Sequence, residues 1–327
     1  MKKNILVTGG AGFIGSHLVD YLVKKRYNVT VIDNFFSGSE KNLFESYNKI
    51  KIINCDISNF KLLEKNFKKF DIVYHLAAKA DIVPSINFPL DYFNSNVVGT
   101  INLLELSKRF RVKKFVYAAS ASCYGLPDNI PTKENSKLSP QYPYALTKLM
   151  GEDLCLHWEK VYKLKTISLR FFNVYGPRSR TSGAYGAVFG VFLAQKIKNK
   201  PLTVVGDGNQ TRDFIFVSDL VEALYKAGIG KSHNIVINLG SGKETAVNKI
   251  AALIGGKKVY IPKRPGEPDR TIANINLAKK MLKWKPVIKI EDGVKLLLKN
   301  IHYWSTAPVW TPKKINSATK TWFKFLK

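Results

Sequence analysis

Short β-branched runs alternate with longer amphipathic stretches through the first half of the chain, and this alternation constrains the fold more than any other feature. Asn4–Thr8, Asn28–Ile32, Lys51–Asn54, Ile72–His75, Lys114–Ala118 and Thr166–Arg170 read as strands. Helical patterns lie between them at Ser16–Lys25, Pro89–Phe110 and Pro143–Tyr162. Strands separated by helices pair in parallel through crossovers, and such crossovers are right-handed in nearly all cases. The expected fold class is therefore α/β, with a doubly wound parallel sheet.

The pattern loosens after Arg170. Residues 171–210 are rich in Gly, Asn, Pro and Arg, with one helix expected near Val188–Asn199. Asp213–Val217 and Ile235–Leu239 read as strands again, Val217–Ala227 and Ile290–His302 as helices. The expected organisation is a dinucleotide-binding domain over 1–170 with a return segment at about 211–240. A smaller C-terminal α/β lobe would be built from 171–210 and 241–327. Trp304, Trp310 and Trp322, near the C-terminus, read as a packed appendage, since tryptophan is more often core than ligand platform.

Composition removes several function classes. The chain has 327 residues and a net charge of +28. A charge of that size invites a nucleic-acid partner. The excess is mostly scattered lysine with no dense basic block, so a solvated lysine surface is the expectation, with no nucleic-acid partner. No run of eighteen apolar residues suggests a membrane span. Lys2-Lys3 lead through a short apolar stretch straight into glycines, which reads as a buried strand and not a signal peptide. Cys55, Cys123 and Cys155 are far apart and form no C-x-x-C pair, so neither a disulfide framework nor a metal site is expected. A cytoplasmic setting fits.

Residues 4–18, NILVTGGAGFIGSHL, place Gly9, Gly12 and Gly15 between a strand and a helix beginning near Phe13. Glycines there permit a tight turn and let backbone approach a pyrophosphate, whose charge the helix N-terminus favours. Asp33 follows the second strand, eighteen residues after Gly15. Its carboxylate can accept both ribose hydroxyls of adenosine and would repel a 2′-phosphate, which favours NAD over NADP. Asp33-Asn34 also reads as an ordinary turn, as does Asp56-Ile57, which could edge the adenine.

Tyr144 and Lys148 stand four apart after Pro143, a favoured first helical residue, and so share a helix face. A phenol is a poor base at neutral pH, and a neighbouring ammonium is expected to lower its pKa. Tyr144 could then take a proton from a sugar hydroxyl while hydride leaves the same carbon for NAD. Alone, a Y-x-x-x-K pair is common on solvated helices. Its context is KKFVYAASASCYG at 113–125, a strand that delivers Ser120 and Ser122 past its carboxyl end, where α/β sheets bind ligands. Ser120 could donate to the reacting oxygen.

With these motifs stand Asp56-Ile57, HLAA at 75–78, YPYALTK at 142–148, RFFNVYGPR at 170–178, GDGNQTRDFIFVSDL at 206–220 and RPGEPD at 264–269. The chain resembles the extended short-chain dehydrogenase/reductases, in the nucleotide-sugar epimerase/dehydratase group, over nearly its whole length. The resemblance implies a Rossmann-type sheet carrying NAD on Gly9, Gly12, Phe13, Ile14, Gly15, Asp33, Asn34, Asp56, Ile57, Leu76, Ala77 and Ala78, with Tyr144 and Lys148 at the nicotinamide end. It implies a Ser120–Tyr144–Lys148 triad, and a nucleotide-diphosphate sugar as substrate. Ser122 would lie against the sugar and Asn173 against the phosphates. Arg212 and Arg264 would grip the pyrophosphate. Val188–Phe192 and Leu202–Val204 would wall the base, and Thr271 would fall near the gate of the sugar pocket. Phe171 departs from the tyrosine that many galactose epimerases carry there. Outside that resemblance, Arg178 and Arg180 would be unremarkable surface residues, a reading as open as a role at the site. A homodimer is implied, its helices about 89–110 and 143–162 pairing through Leu103, Leu104, Leu106, Met150, Leu154 and Trp158, some of which must face the sheet instead.

Within that group, dehydratases would carry Thr-Asp-Glu at 120–122, and decarboxylases a glutamate at position 122. Ser120-Ala121-Ser122 offers no carboxylate. The expected reaction is a 4-epimerisation of a UDP-hexose through a transient 4-keto sugar. A C4 dehydrogenase that yields a 4-keto product is the alternative enzyme, and an NAD-binding redox sensor without turnover the alternative of another class.

Overall fold

The computed structural model describes residues 2–179 and 188–326. Its centre is a seven-stranded sheet in the order Ile235–Leu239, Thr166–Phe171, Lys114–Ser120, Ile72–His75, Asn4–Thr8, Asn28–Asp33, Ile50–Asn54. Every neighbouring pair is parallel. The chain begins mid-sheet, runs outward to Ile50–Asn54, then returns across the start to build the other wing. That reversal is the topological switch of a doubly wound fold, and it opens a crevice at the carboxyl ends of the strands.

The sheet is buried on both faces, as parallel strands need. One face packs the Phe13–Lys24 and Val217–Ile229 helices over Ile5, Val7, Val31 and Leu169; the other packs Gly99–Arg109 and Pro143–Tyr162 over Leu6, Ile32, Phe115 and Tyr117. A three-stranded sheet (Glu244–Ala246, Thr211–Phe216, Asn173–Tyr175) and a parallel pair (Lys258–Ile261 with Leu202–Val205) lie beyond the seven strands.

Three differences from the sequence expectation bear on function. The fifth strand runs to Ser120, two residues past Ala118, so its end delivers the hydroxyl itself. The stretch expected as one helix over Pro89–Phe110 is Pro89–Phe93 and Gly99–Arg109 joined by a turn of π-helix at Asn94–Val98. The wider turn sets Asn96 inward, where its side chain accepts from Lys79 N at 2.8 Å and donates to Lys79 O and Thr147 Oγ1 at 3.0 Å each. Finally, Leu103, Leu104 and Leu106 are wholly buried within this chain, so they are not free for a partner subunit.

The C-terminal tryptophans divide. Trp304 and Trp322 are core, each about 1% exposed, whereas Trp310 is half-buried. The last element is a helix, Pro312–Phe325, with Thr311 Oγ1 accepting from Lys314 N at its start. The sequence reading missed it because its apolar face, Ile315, Thr319 and Trp322, is sparse among lysines.

Candidate active site

At the carboxyl edge of the sheet lies a cleft of about 1120 Å³. All the residues expected to hold the cofactor line it, from Gly9 and Gly12 to Tyr144 and Lys148. Its floor is backbone. Gly9 has φ +69°, and a Cβ there would meet Ala77 N at 2.6 Å; one at Gly15 would meet Gly9 O at 2.1 Å. Among the described residues, the one atom near a Cβ at Gly12 would be Gly9 O at 3.2 Å, so that residue presents open space to the cleft. The helix that follows has no side-chain cap and no acidic residue in its first turn, which leaves its leading N–H groups for an anion.

Asp33 sits at the end of its strand, 7% exposed. Its Oδ2 accepts from Ala11 N and its Oδ1 from Phe35 N, both at 2.9 Å. Burial pushes its carboxyl up and these two bonds pull it back. Each oxygen keeps a lone pair for a hydroxyl. Asp56 accepts from Ser58 N at 2.8 Å, Ser58 Oγ at 2.7 Å and Asn34 Nδ2 at 2.8 Å. Burial works to raise its carboxyl, but those bonds and the Lys79 charge hold it below its ordinary value. Asn34 thus edges the cleft by bracing Asp56. These features fit a dinucleotide: an uncapped helix start over open glycine for the diphosphate and a carboxylate for a ribose.

Tyr144 and Lys148 project from the first turns of Pro143–Tyr162. That helix is held to the sheet by a buried ion pair, Arg170 to Glu152, at 2.5 and 3.1 Å, and by Gly151, where a Cβ would meet the Tyr117 hydroxyl at 2.2 Å. Lys148 Nζ lies 4.4 Å over the Tyr117 ring centroid. Burial pushes Lys148 down to about 8. Ser120 hydrogen-bonds Tyr144, yet burial still pushes that phenol up to about 12. This corrects the expected direction. Lys148 does not lower the Tyr144 phenol in this arrangement, because desolvation outweighs what reaches it.

A row of hydroxyls continues from there. Ser120 Oγ lies 2.8 Å from Ser122 Oγ, and Ser122 hydrogen-bonds Tyr142, whose ring stacks at 6.4 Å and 6° on Tyr144. Burial raises the Tyr142 phenol as well. Beyond it, Arg212 and Arg264 meet across Glu267, at 3.5 and 3.3 Å. Burial brings Arg264 down to about 10. The two arginines expected to work together are thus brought together, on a carboxylate that sequence reasoning did not single out.

Other expected substrate residues fall differently. Asn173 is exposed, on the edge strand beside Phe214. Thr271 Oγ1 accepts from Asp213 N at 3.3 Å, so its hydroxyl is tied to the neighbouring backbone. Val188 is half-buried, but Phe189, Phe192, Leu202 and Val204 are core, with Phe189 stacked on Tyr175 at 4.5 Å. The helix turns Phe189 and Phe192 inward, which leaves Val188 as the half-buried residue of that expected wall. Arg178 is no idle surface residue: it lines the cleft and pairs with Asp20 at 2.7 Å. Arg180 lies outside the described residues. Phe171 lines the cleft.

The sequence reading missed two parts of the cleft wall. The loop Ser37–Asn42 and the segment from Tyr303 to Pro308 both line it, and Tyr303 Oη donates to Asn42 Oδ1 at 3.1 Å. The Ser-Gly-Ser at 37–39 was a signal for the first; the second had none. A separate hollow of about 1050 Å³ lies by Lys163, Lys165 and Asn234, at the amino ends of the strands. Its Glu159 is already bonded to Thr166 N, Asn234 N and His233, a structural arrangement on the wrong side of the sheet for the triad.

Comparison with known proteins gives the family and the fold. Residues 5–240 match the NAD dependent epimerase/dehydratase family. The structure superimposes on a UDP-glucose 4-epimerase from Thermotoga maritima with a TM-score of 0.87 and 34% identity, covering 93% of this chain and 99% of that one. It superimposes on a UDP-glucuronic acid 4-epimerase from Bacillus cereus, solved with UDP-glucuronic acid and NAD, with a TM-score of 0.82 and 34% identity, over 91% and 99%. A UDP-glucuronic acid decarboxylase of Xenopus tropicalis is 33% identical over 315 residues, 92% of this chain and 72% of that protein.

Proposed function

We propose that this chain, which belongs to the NAD-dependent epimerase/dehydratase family, inverts C4 of a UDP-hexose, with UDP-glucose and UDP-galactose or their N-acetylated forms as substrates. The observation that carries the reading is the row Tyr144–Ser120–Ser122–Tyr142 at the mouth of the cofactor cleft, with no carboxylate at 121 or 122. Elimination and decarboxylation lack their expected acid–base group, although decarboxylases are among the relatives.

NAD, when bound, would supply the hydride acceptor and donor for C4; the glycine turn and the helix start would hold its diphosphate, and Asp33 its adenosine ribose. Ser120 donates to the C4 oxygen and steadies charge there. Tyr144 takes the C4 hydroxyl proton and later returns it. Burial raises the Tyr144 phenol, so Tyr144 needs cationic charge beside it to serve as a base. Arg212 and Arg264 hold the pyrophosphate on which the keto sugar turns, exchanging Glu267 for phosphate oxygens.

The test is to incubate the pure protein with UDP-galactose or UDP-N-acetylglucosamine and no added NAD. Clean C4 inversion by NMR supports the epimerase. An accumulating ketone with NADH absorbance would overturn it in favour of the C4 dehydrogenase. A homodimer belongs to the same reading: Leu146, Val161 and Tyr162 leave apolar surface exposed on the Pro143–Tyr162 helix. A monomer by light scattering at micromolar concentration would count against it.

A further inference from the structure

The C-terminal helix Pro312–Phe325 reaches both halves of the substrate end. Trp322 is about 1% exposed. Its Nε1 donates to Pro265 O at 2.7 Å, the carbonyl next to Arg264. Its ring lies 6.0 Å from that of Tyr142. Gly266 faces Leu326 across a gap a Cβ would narrow to 3.8 Å. The same helix packs on Ile82–Asn87, which begins just after Asp81 at the cleft. One indole therefore ties the arginine-bearing loop to the tyrosine that ends the hydroxyl row.

The spacing of the site gives this contact a consequence. A hexose must lie between Tyr144 and Ser120 at its reacting carbon and Arg212 and Arg264 at its diphosphate. Tyr142 stands between those two ends, stacked on Tyr144 and hydrogen-bonded to Ser122. Tyr142 has no covalent restraint on its ring beyond its own χ angles, and the indole packed against it limits them. A buried indole N–H needs a partner, and here the partner is the backbone of the loop that carries Arg264 and Glu267.

We propose that Trp322 is a positioning residue for the reaction: through Tyr142 and the Pro265 carbonyl it fixes the distance between the proton-handling end and the pyrophosphate-binding end of the site. It touches neither cofactor nor reacting atoms. It acts by holding Tyr142 at the end of the Ser122–Ser120–Tyr144 row. The C-terminal helix thus backs the residues of the substrate end without facing the cleft itself. This inference rests on the reading of the cleft as a nucleotide-sugar site.

Trp322→Phe, Trp322→Ala and Tyr142→Phe test it in the NAD-loaded protein. Trp322→Ala is expected to lower kcat about 10- to 100-fold and to move the alkaline limb of the kcat pH profile, with affinity for UDP alone within about 2-fold. Trp322→Phe, which keeps a ring against Tyr142, recovers most of kcat. Tyr142→Phe moves the same limb, and the double variant Tyr142→Phe with Trp322→Phe adds little to it. Strict additivity of those two changes, or an unmoved pH profile in all variants, overturns the proposal. Should Trp322→Ala not fold, the two phenylalanine variants still decide it. Amide hydrogen exchange gives a readout independent of turnover: exchange at 264–267, which loses the indole N–H, should rise in Trp322→Phe, and exchange at 142–148 should rise as well in Trp322→Ala; unchanged exchange at 264–267 in Trp322→Phe overturns the link. A parent protein that converts no nucleotide sugar defeats the epimerase reading instead, and the exchange measurement still judges the positioning.

Discussion

The two ends of the cleft are built from different material. The cofactor end is mostly backbone: four strand ends deliver Gly9, Asp33, Asp56 and Ala77 to one edge of the sheet, and the first of the turns is closed at Gly9 and Gly15, where a Cβ has no room. The substrate end is side chains leaning on side chains. Tyr142 leans on Ser122 and Trp322, and Arg212 and Arg264 lean on Glu267. A backbone site is insensitive to most neighbouring substitutions and intolerant of an added atom. A side-chain site can be retuned one residue at a time, and the proteins this chain resembles include UDP-glucose and UDP-glucuronic acid 4-epimerases and a UDP-glucuronic acid decarboxylase.

The largest expected effect falls where the ends meet. Tyr144→Phe should cut turnover at least about 1000-fold, with bound NAD unchanged by absorbance of the released cofactor. Retained turnover would remove the phenol from the chemistry. At the cofactor end, Gly15→Ala drives a Cβ to 2.1 Å from Gly9 O, so the turn must open. NAD affinity by calorimetry should fall at least about 100-fold, together with a few kcal/mol of stability. Normal binding would break the contrast, since it would mean that the backbone yields.

Lys148→Met separates stability from activity. The Lys148 ammonium is pushed from its ordinary 10.5 down to about 8 by burial. Its protonated form is therefore disfavoured in the fold, a cost of order 3 kcal/mol that is complete below pH 8 and fades as pH rises from about 8 to 10.5. The variant should abolish turnover and raise unfolding free energy by about 1–3 kcal/mol at pH 7, with the gain shrinking by pH 10. Equal gains at both pH values in urea unfolding would show that the charge is not the cause.

At the substrate end, Arg264→Lys replaces a planar fork by a point charge. KM for the nucleotide sugar should rise about 10-fold with NAD affinity unchanged; a loss of both would mean that the two ends are not independent. The smallest effect is expected at the exposed rim. Tyr303→Phe loses a 3.1 Å bond to Asn42, and NAD affinity should change by less than about 3-fold.

What was legible in the sequence was local. The strand–glycine–helix run, Asp33, Asp56 and the HLAA turn each follow a strand directly, and a parallel sheet places all strand ends on one edge, so knowing the order of elements was enough to gather them. The helical spacing of Tyr144 and Lys148 was legible for the same reason. The π turn at Asn94–Val98 was not, because a one-residue widening leaves no mark on an apolar period. The inward turn of Phe189 and Phe192 was not, because an apolar helix does not declare which neighbour it will bury against.

By itself, then, the sequence determined the α/β class and brought the residues proposed for the cofactor end and for proton transfer to one edge of the sheet, since both groups rest on neighbours along the chain or on strand order. Tertiary structure alone decided that Glu267 joins the two arginines, that Tyr303 and residues 306–308 wall the cleft, and that Trp322 stands behind Tyr142. Those are meetings of segments far apart in the chain. Side-chain packing and burial set them, and neither is written in the period or spacing of a single stretch. Burial likewise reversed the expected direction at Tyr144, because desolvation belongs to a place in the fold and not to a motif.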